Sequence, residues 1–508
     1  MLNRKVFMSY YIGIDLGTSA MKCLLVDSTG KVCKEASREY PLSFPKPTWS
    51  EQSPEDWWKA CKECVAELIS GIDGSEVKAI GCAGQMHGLV ALDAEDKVIR
   101  PAILWNDART AAEVDYLNNE IGKPELADAS GNIAFAGFTA PKLLWMRNNE
   151  PEAFARIKRI MLPKDYINYL LTGVHATEFS DAAGMLLVDV KNKCWSKKLI
   201  DICGIKEEQL PKLYPNSACV VGTLTEAAAQ QLGLSASVKV VAGAGDNAAA
   251  AVAMNVVKEG TCNISLGTSG TVLIPTESFC MDPNNALHSF GSADGNYLLL
   301  ACILSAASCN KWLCDEILKT KDYAQEQVNI TDEKLGNNSV YFLPYLMGER
   351  SPINDTNARA AFIGMSMDTP REALVQAVLE GVAFAVRDNF EVARSLGINL
   401  SSSMICGGGA QSNLWVKIIA NVLNMPIRLP FVKEGPGYGG ALLAMVGAGE
   451  YESIQACLDG LFGAQEQKFY ANGNNMIMPT EELAARYEKR YQQYKQLYPA
   501  LKSFFNNI

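Results

Sequence analysis

The tetrapeptide Leu-Gly-Thr-Ser occurs twice in this 508-residue chain, beginning at Leu16 and again at Leu266. Each copy lies between two runs of β-branched and apolar residues, over 11–26 and 261–274, and so predicts two strands joined by a tight turn. A four-residue match can arise by chance, but the matching context on both sides makes chance the weaker interpretation. A hairpin repeated half a chain apart predicts two similar lobes that face one another.

The length of the chain also indicates more than one domain. A single core stops growing near about 250–300 residues, which this chain exceeds. Helix signals alternate with short β-branched runs at 79–81, 238–242 and 404–406, which is typical of an α/β fold. We therefore predict a first lobe over 1–253 and a second over 254–508, with the last helix packing back on the first lobe.

Three segments carry helix start signals. Each has a serine or threonine beside a proline, followed by acidic residues in the first turn. The predicted helices run from Ser53 and Pro54 to Ile69, from a capping box at 369–372 to Arg394, and from 479–482 to Tyr498.

The composition argues against two classes of function. Net charge is −10, and no run of Lys and Arg supplies the basic face that nucleic acid or anionic lipid requires. No stretch approaches the ~20 apolar residues of a membrane span, and no secretory signal is apparent. The fifteen cysteines are scattered and odd in number, which indicates core thiols in a reducing compartment. We expect a cytoplasmic protein without a nucleic-acid or membrane partner.

Three glycine-rich segments are candidates for binding phosphate: 15–19, 265–270 and 407–410. No G-x-x-x-x-G-K-[ST] motif is present, so the chain is not a P-loop enzyme. A Gly-Thr-Ser turn exposes backbone N–H groups and two hydroxyls, and its glycine lets the backbone approach an anion closely. Two such turns at symmetric positions, the first preceded by Asp15, predict a clamp on a polyphosphate.

Beyond these turns, the motifs resemble, in order, those of the FGGY family of carbohydrate kinases, within the actin, hexokinase and heat-shock ATPase superfamily. The resemblance spans roughly 11–444 and implies two actin-like, ribonuclease-H-like lobes with the active site in the cleft between them. The segments that carry it are 85–88, 104–109, 137–145, 162–166, 245–248, 265–270, 342–350 and 407–410.

The resemblance also implies roles for individual residues. Asp246 is expected to take the proton from the attacking sugar hydroxyl, and Asp15 to hold Mg²⁺. The expected sugar contacts are Gln85, Met86, His87, Trp105, Asn106, Asp107 and Asp246. The expected ATP contacts are Gly17, Thr18, Ser19, Lys22, Gly267, Thr268, Ser269, Gly408, Gly409 and Asn413.

The implied activity is ATP-dependent phosphorylation of a small sugar by a homodimer. A five-carbon ketose such as D-xylulose is the expected acceptor, with another ketose, a polyol or gluconate as the alternative. An actin- or chaperone-like ATPase is a different class of answer, but it predicts no sugar motifs. An inactive sugar sensor should have lost Asp246 or Asp15, and both are present.

Several of these residues also have a purely structural interpretation. A lone histidine is more often a core or surface residue than a functional one, so His175 and His288 are expected to be structural, whereas His87 falls within a sugar motif. Asp107 could cap a helix and pair with Arg109 as well as contact sugar. Trp105 is expected mainly to pack, although it adjoins the sugar motif.

Overall fold

The computed structural model describes residues 9–430, 432, 435–473 and 475–507, which form two mixed sheets of seven strands each. The first sheet contains β1 Tyr10–Leu16, β2 Ala20–Asp27, β3 Val32–Glu39, β4 Val77–Gly84, β5 Val220–Thr223, β6 Lys239–Val241 and β7 Ala244–Gly245. The second contains β8 Thr261–Leu266, β9 Gly270–Thr276, β10 His288–Gly291, β11 Tyr297–Ile303, β12 Ser402–Cys406, β13 Ile427–Arg428 and β14 Met476–Ile477.

The two sheets share a core topology. The first has the order β5-β6-β4-β1-β2-β3, with β7 also pairing with β4, and the second has the order β10-β11-β9-β8-β12-β13-β14. In each, three antiparallel strands (β3-β2-β1 and β11-β9-β8) are followed by two parallel ones (β4-β6 and β12-β13). The repeated tetrapeptide forms the turn of the first hairpin in both sheets. The prediction of a two-lobed α/β fold is confirmed.

Helices cover the sheets. They are α1 Pro54–Ile69, α2 Ala111–Asp115, α3 Lys123–Ser130, α4 Thr139–Asn149, α5 Pro151–Ala155, α6 Pro163–Thr172, α7 Phe179–Ala182, α8 Lys197–Cys203, α9 Glu226–Leu232, α10 Asp246–Ala253, α11 Ala307–Trp312, α12 Arg371–Ser395, α13 Asn413–Leu423, α14 Pro436–Ala448, α15 Ile454–Phe469, α16 Glu481–Tyr494 and α17 Leu497–Phe505. Five further strand pairs are Glu51–Gln52 with Ala102–Ile103, Val90–Leu92 with Arg159–Met161, Ala176–Glu178 with Lys212–Tyr214, Val188–Asp189 with Cys194–Trp195, and Tyr341–Leu343 with Ala361–Ile363. None of the helices in the described ranges is long and apolar enough to cross a bilayer.

Two helix predictions need correction. The capping box at 369–372 does not form, because the Thr369 hydroxyl accepts a hydrogen bond from the Ser366 N–H at 2.8 Å instead, and α12 begins at Arg371. The charged helix predicted to reach Tyr498 ends at Tyr494, and α17 starts after a short break.

The helix that packs back on the first sheet is α14, not the last helix. Glycines allow this close contact: a Cβ at Gly13 would lie 1.8 Å from the Gly437 carbonyl oxygen, and one at Gly81 would lie 2.1 Å from that of Gly440. The tyrosines of α16 are instead buried in the core around the second sheet, so the prediction for the last helix is wrong. The lobe boundary at 253/254 stays a prediction.

Candidate active site

Three strands of the first sheet end side by side and deliver the predicted catalytic residues to one edge. Asp15 in β1 pairs with Ala83 in β4, and Gly84 at the end of β4 pairs with Gly245 at the end of β7. Both pairings are parallel, so the residues that follow these strands leave the sheet at the same edge. Gln85, Met86 and His87 follow β4, and Asp246 follows β7 as the first residue of α10.

Asp15 and Asp246 influence each other electrostatically at this edge. Burial and then the nearby Asp246 charge raise the pKa of the Asp15 carboxyl to about 7, although the Lys22 ammonium opposes both effects. Burial also raises the pKa of Asp246 to about 6, although hydrogen bonds from the Asn247 N–H and side-chain amide favour its charged form. Two carboxyl groups held close in a desolvated site are suited to binding a cation and accepting a proton.

The His87 imidazole is neutral and held in one orientation. Burial, followed by the nearby Lys142 ammonium, lowers its pKa to about 3. With Nδ1 protonated, His87 donates to the Gly184 carbonyl at 2.7 Å, which leaves Nε2 as an acceptor. His87 has a left-handed backbone with φ of 68°, and its carbonyl accepts hydrogen bonds from Lys142 Nζ at 2.7 Å and Thr139 Oγ1 at 3.0 Å. A strained residue fixed from several sides is typical of a ligand-binding position.

Met86 connects this histidine motif to the candidate base. Its sulfur lies 3.7 Å from the Asn247 amide nitrogen, and a Cβ at Gly245 would lie 3.0 Å from its side chain. His288, expected to be structural, is buried and stacks on Phe290. The structure therefore brings Met86, His87 and Asp246 together from positions 160 residues apart in the chain.

A chain of hydrogen bonds joins the first Gly-Thr-Ser turn to the sugar motifs. The Trp105 indole N–H donates to Thr18 Oγ1 at 3.0 Å, and Thr18 Oγ1 donates to Gln85 Oε1 at 3.2 Å. Gln85 in turn donates to Gln52 Oε1 at 3.0 Å, and Gln52 donates to the Thr18 carbonyl at 2.5 Å. Trp105 is 47% exposed, so the expectation that it mainly packs is wrong.

The neighbouring residues Asn106 and Asp107 have different surroundings. Asn106 is exposed and lines a cavity of about 470 Å³ with Phe44 and Trp49. The Asp107 carboxylate is buried, accepts the Ser50 N–H at 2.6 Å and forms a bidentate pair with the Arg109 guanidinium. This geometry favours the structural alternative for Asp107 over a direct sugar contact.

The second lobe contributes a separate cavity of about 920 Å³ beside the β8–β9 turn. Gly407 lies against that turn with φ of 88°, and a Cβ there would lie 2.6 Å from the Leu266 carbonyl oxygen. The cavity contains five of the residues predicted to contact ATP, namely Gly267, Thr268, Gly408, Gly409 and Asn413. Sequence reasoning missed other residues that line this cavity, among them Lys311, Lys321, Asp322, Tyr323 and Gln327.

The remaining predicted ATP contacts do not line this cavity. Gly17, Thr18, Ser19 and Lys22 lie on the first lobe, where Lys22 pairs with Glu35 at 3.0 Å, and Ser269 is exposed at the tip of its turn. Their contacts with ATP stay predictions.

Comparison with known proteins identifies the family of this chain. The model of the N-terminal domain of the FGGY family of carbohydrate kinases matches residues 10–253, and that of the C-terminal domain matches 262–448. The chain belongs to this family and is a carbohydrate kinase, with ATP and a sugar as its substrates. The actin- or chaperone-like alternative is thereby rejected.

The similar proteins include xylulose kinases and a gluconate kinase. A xylulose kinase of Escherichia coli strain K12 is 38% identical over 496 residues, covering 97% of this chain and 99% of that protein. The crystal structure of a "xyloylose kinase" from Brucella ovis has a TM-score of 0.90 at 39% identity, covering 97% and 100% of the two chains. A gluconate kinase structure from Lactobacillus acidophilus also has a TM-score of 0.90, at 27% identity and 98% and 99% coverage.

Proposed function

We propose that this kinase transfers the γ-phosphoryl group of ATP to D-xylulose and forms D-xylulose 5-phosphate. The observation that carries the proposal is the convergence of Met86 and His87 with Asp246 at one sheet edge, together with the 38% identity to a xylulose kinase over nearly the whole chain. Three of the predicted sugar contacts, Gln85, His87 and Asn106, are neutral hydrogen-bonding groups, which suit an uncharged polyol.

In the proposed reaction the C5 hydroxyl of the sugar attacks the γ-phosphorus in line. The hydroxyl proton passes to the Asp246 carboxylate, the new O–P bond forms, and the bond from the γ-phosphorus to the β,γ-bridging oxygen breaks, its electron pair leaving with ADP. His87 accepts a sugar hydroxyl at Nε2, because its Nδ1 is committed to Gly184. Phosphoryl transfer needs mainly positioning and charge stabilisation, which these fixed groups supply.

Asp15 is the proposed Mg²⁺ ligand. The described residues contain no cluster of three or more His, Cys, Asp or Glu able to hold a metal, but Mg²⁺ commonly uses one or two carboxylates, retained waters and substrate phosphates. The raised pKa of Asp15 beside Asp246 fits such a site, because a cation would relieve the repulsion between the two carboxylates. When bound, Mg²⁺ would neutralise charge on the phosphates.

The proposal also covers the ATP contacts of each lobe and the oligomeric state of the protein. We assign Gly17, Thr18 and Ser19 to the phosphates from the first lobe, and the 920 Å³ cavity to the nucleoside. We also propose a homodimer, as the sequence resemblance implied, located in the cytoplasm, as the scattered cysteines indicated.

A coupled ADP-release assay tests the substrate. The purified chain is given Mg·ATP with D-xylulose, D-ribulose, L-ribulose, gluconate, glycerol or no sugar. The proposal expects the highest kcat/KM with D-xylulose. A preference for gluconate or another polyol would keep the kinase and overturn the substrate assignment, whereas no turnover with any sugar would revive the sensor alternative.

A further inference from the structure

Directly behind Asp246 lies a buried ionic cluster that the proposed reaction does not use. Lys164 of α6 is fully buried, with its Nζ 2.6 Å from Asp165 Oδ1, 3.7 Å from Glu178 Oε1 and 3.6 Å from Asp181 Oδ2. Burying charges is costly even when they are paired, and an apolar cluster of similar volume often stabilises a protein equally well. A buried ionic cluster beside an active site is therefore a candidate for a functional role in addition to a stabilising one.

One side chain connects this cluster to the candidate base. Ser180 Oγ accepts a hydrogen bond from the Gly245 N–H at 3.3 Å and donates one to Glu178 Oε1 at 2.9 Å. Glu178 is fixed in its turn, since its carboxylate also accepts the backbone N–H groups of Ser180 at 2.8 Å and Asp181 at 2.9 Å. Gly245 immediately precedes Asp246, so this path holds the turn from which the base projects.

The same segment also reaches the sugar side of the site. Gly184, four residues after Ser180, accepts the hydrogen bond that orients His87, and a Cβ at Gly184 would lie 2.5 Å from the His87 ring. The segment 178–184 thus touches the supports of both the candidate base and a candidate sugar contact. A single rigid element that orients both groups would fix their separation.

We infer that Ser180 and Glu178 are positioning residues, which hold the turn at Gly245 so that the Asp246 carboxylate meets the sugar hydroxyl. This inference rests on the proposed function of Asp246 as the base. Neither residue contacts substrate; both act through the backbone on which Asp246 lies. Their loss should therefore slow phosphoryl transfer while leaving substrate affinity largely intact.

The test replaces Ser180 by alanine and compares it with a matched control. Ser217 Oγ donates to the other oxygen of Glu178 at 2.9 Å, whereas the Gly245 N–H is bonded to Ser180. Within the described residues the Ser217 hydroxyl has no hydrogen bond to Gly245, so Ser217→Ala removes a comparable bond without removing the one that holds Gly245. We expect Ser180→Ala to lower kcat about tenfold with the sugar KM changed less than about twofold, and Ser217→Ala to keep kcat within about twofold of the original. The melting temperatures of the two variants should fall by similar amounts.

Two further variants separate the possible failures. Glu178→Gln should lower kcat in the same direction, and Ser180→Ala should add no further loss to Asp246→Asn if it acts through that carboxylate. Equal activity of Ser180→Ala and Ser217→Ala, or a loss that appears only in KM or in melting temperature, would overturn the positioning role. If Asp246→Asn itself retained activity, the assignment of the base would be at fault.

Discussion

The two Gly-Thr-Ser turns share a tetrapeptide and a hairpin yet differ in their surroundings. The first follows Asp15, and its Thr18 hydroxyl is bonded to Trp105 of the sugar motif. The second has Ser265 at the position of Asp15. Its Thr268 residue is exposed and lines the 920 Å³ cavity, while its backbone carbonyl accepts an N–H from the start of α11.

This difference indicates a division of labour between the lobes. The first lobe carries the two desolvated carboxylates of Asp15 and Asp246, and its turn is connected by hydrogen bonds to the sugar motifs. The lining of the larger cavity, by contrast, comes entirely from residues 266–415. Under the proposed function, a common hairpin therefore serves acid–base and sugar chemistry in one lobe and nucleotide binding in the other. The residue two positions before the glycine, not the turn itself, distinguishes them.

The most severe test of this division removes the candidate base. Asp246→Asn keeps the shape of the side chain but cannot accept the sugar proton, so kcat should fall about 10²–10⁴-fold. ATP binding, measured by titration calorimetry, should be unchanged because the 920 Å³ cavity does not include Asp246. Near-normal turnover of this variant would remove Asp246 from the mechanism.

A second test replaces, one at a time, the two residues that differ between the turns, Asp15 and Ser265. Asp15→Asn should lower kcat/KM for Mg·ATP by about 10²-fold, because charge stabilisation of the phosphates is lost. Ser265→Ala, at the equivalent position of the second turn, should change it by less than about threefold, because a neutral hydroxyl contributes at most about one hydrogen bond. Equal effects would mean that the two turns play equivalent parts. The Mg²⁺ concentration needed for half-maximal rate should rise only for the first variant.

The pH dependence should report the environment of the first lobe. Burial raises the pKa of Asp246 to about 6, and the base works only when ionised, so kcat should fall roughly tenfold per pH unit below about pH 6. The loss is in the acidic direction because a raised pKa keeps the carboxyl protonated up to higher pH. Rates at saturating Mg·ATP from pH 4.5 to 8 measure it. Asp246→Asn removes this titration, so any acidic limb that remains in its residual rate reports Asp15, whose pKa is about 7.

Sequence reasoning located the residues that stand next to glycine turns and missed those that act across the fold. Asp15 and Asp246 each adjoin a strand end with a recognisable local pattern, and the family motifs supplied their roles. Ser180 supports the site through a contact 65 residues away in the chain, and no local signal marks it. Lys142 lies in the family segment 137–145, but its bond to the His87 carbonyl, 55 residues away, appears only in the fold. Asp107 shows the opposite limit, because its motif and its pairing with Arg109 could be expected from the sequence, but its bond to the Ser50 N–H, 57 residues away, appears only after folding.

The smallest expected effect concerns the link between Thr18 and the sugar motif. A hydroxyl has one proton to donate, and Thr18 donates it to Gln85 while accepting from Trp105, so in this arrangement it has none for a phosphate oxygen. Sugar that contacts Trp105 would rearrange these bonds and free Thr18 for ATP. Trp105→Phe removes the bond that Thr18 accepts, so that only Gln85 holds its hydroxyl and the hydroxyl can turn to a phosphate oxygen when no sugar is bound. The ratio of sugar-free ATP hydrolysis to sugar phosphorylation should then rise about fivefold, which corresponds to the free energy of about one hydrogen bond.

The matched control for that prediction is Trp58→Phe. Trp58 likewise donates its indole N–H to a side-chain oxygen, in this case Gln231 Oε1 at 3.3 Å, but within the described residues it has no hydrogen bond to either turn. Its ratio of hydrolysis to phosphorylation should equal that of the unsubstituted chain. If Trp105→Phe leaves the ratio unchanged as well, the hydrogen bonds between the first turn and the sugar motif do not couple the two substrates. The lobes would then differ only in the two carboxylates, Asp15 and Asp246, that the first lobe carries.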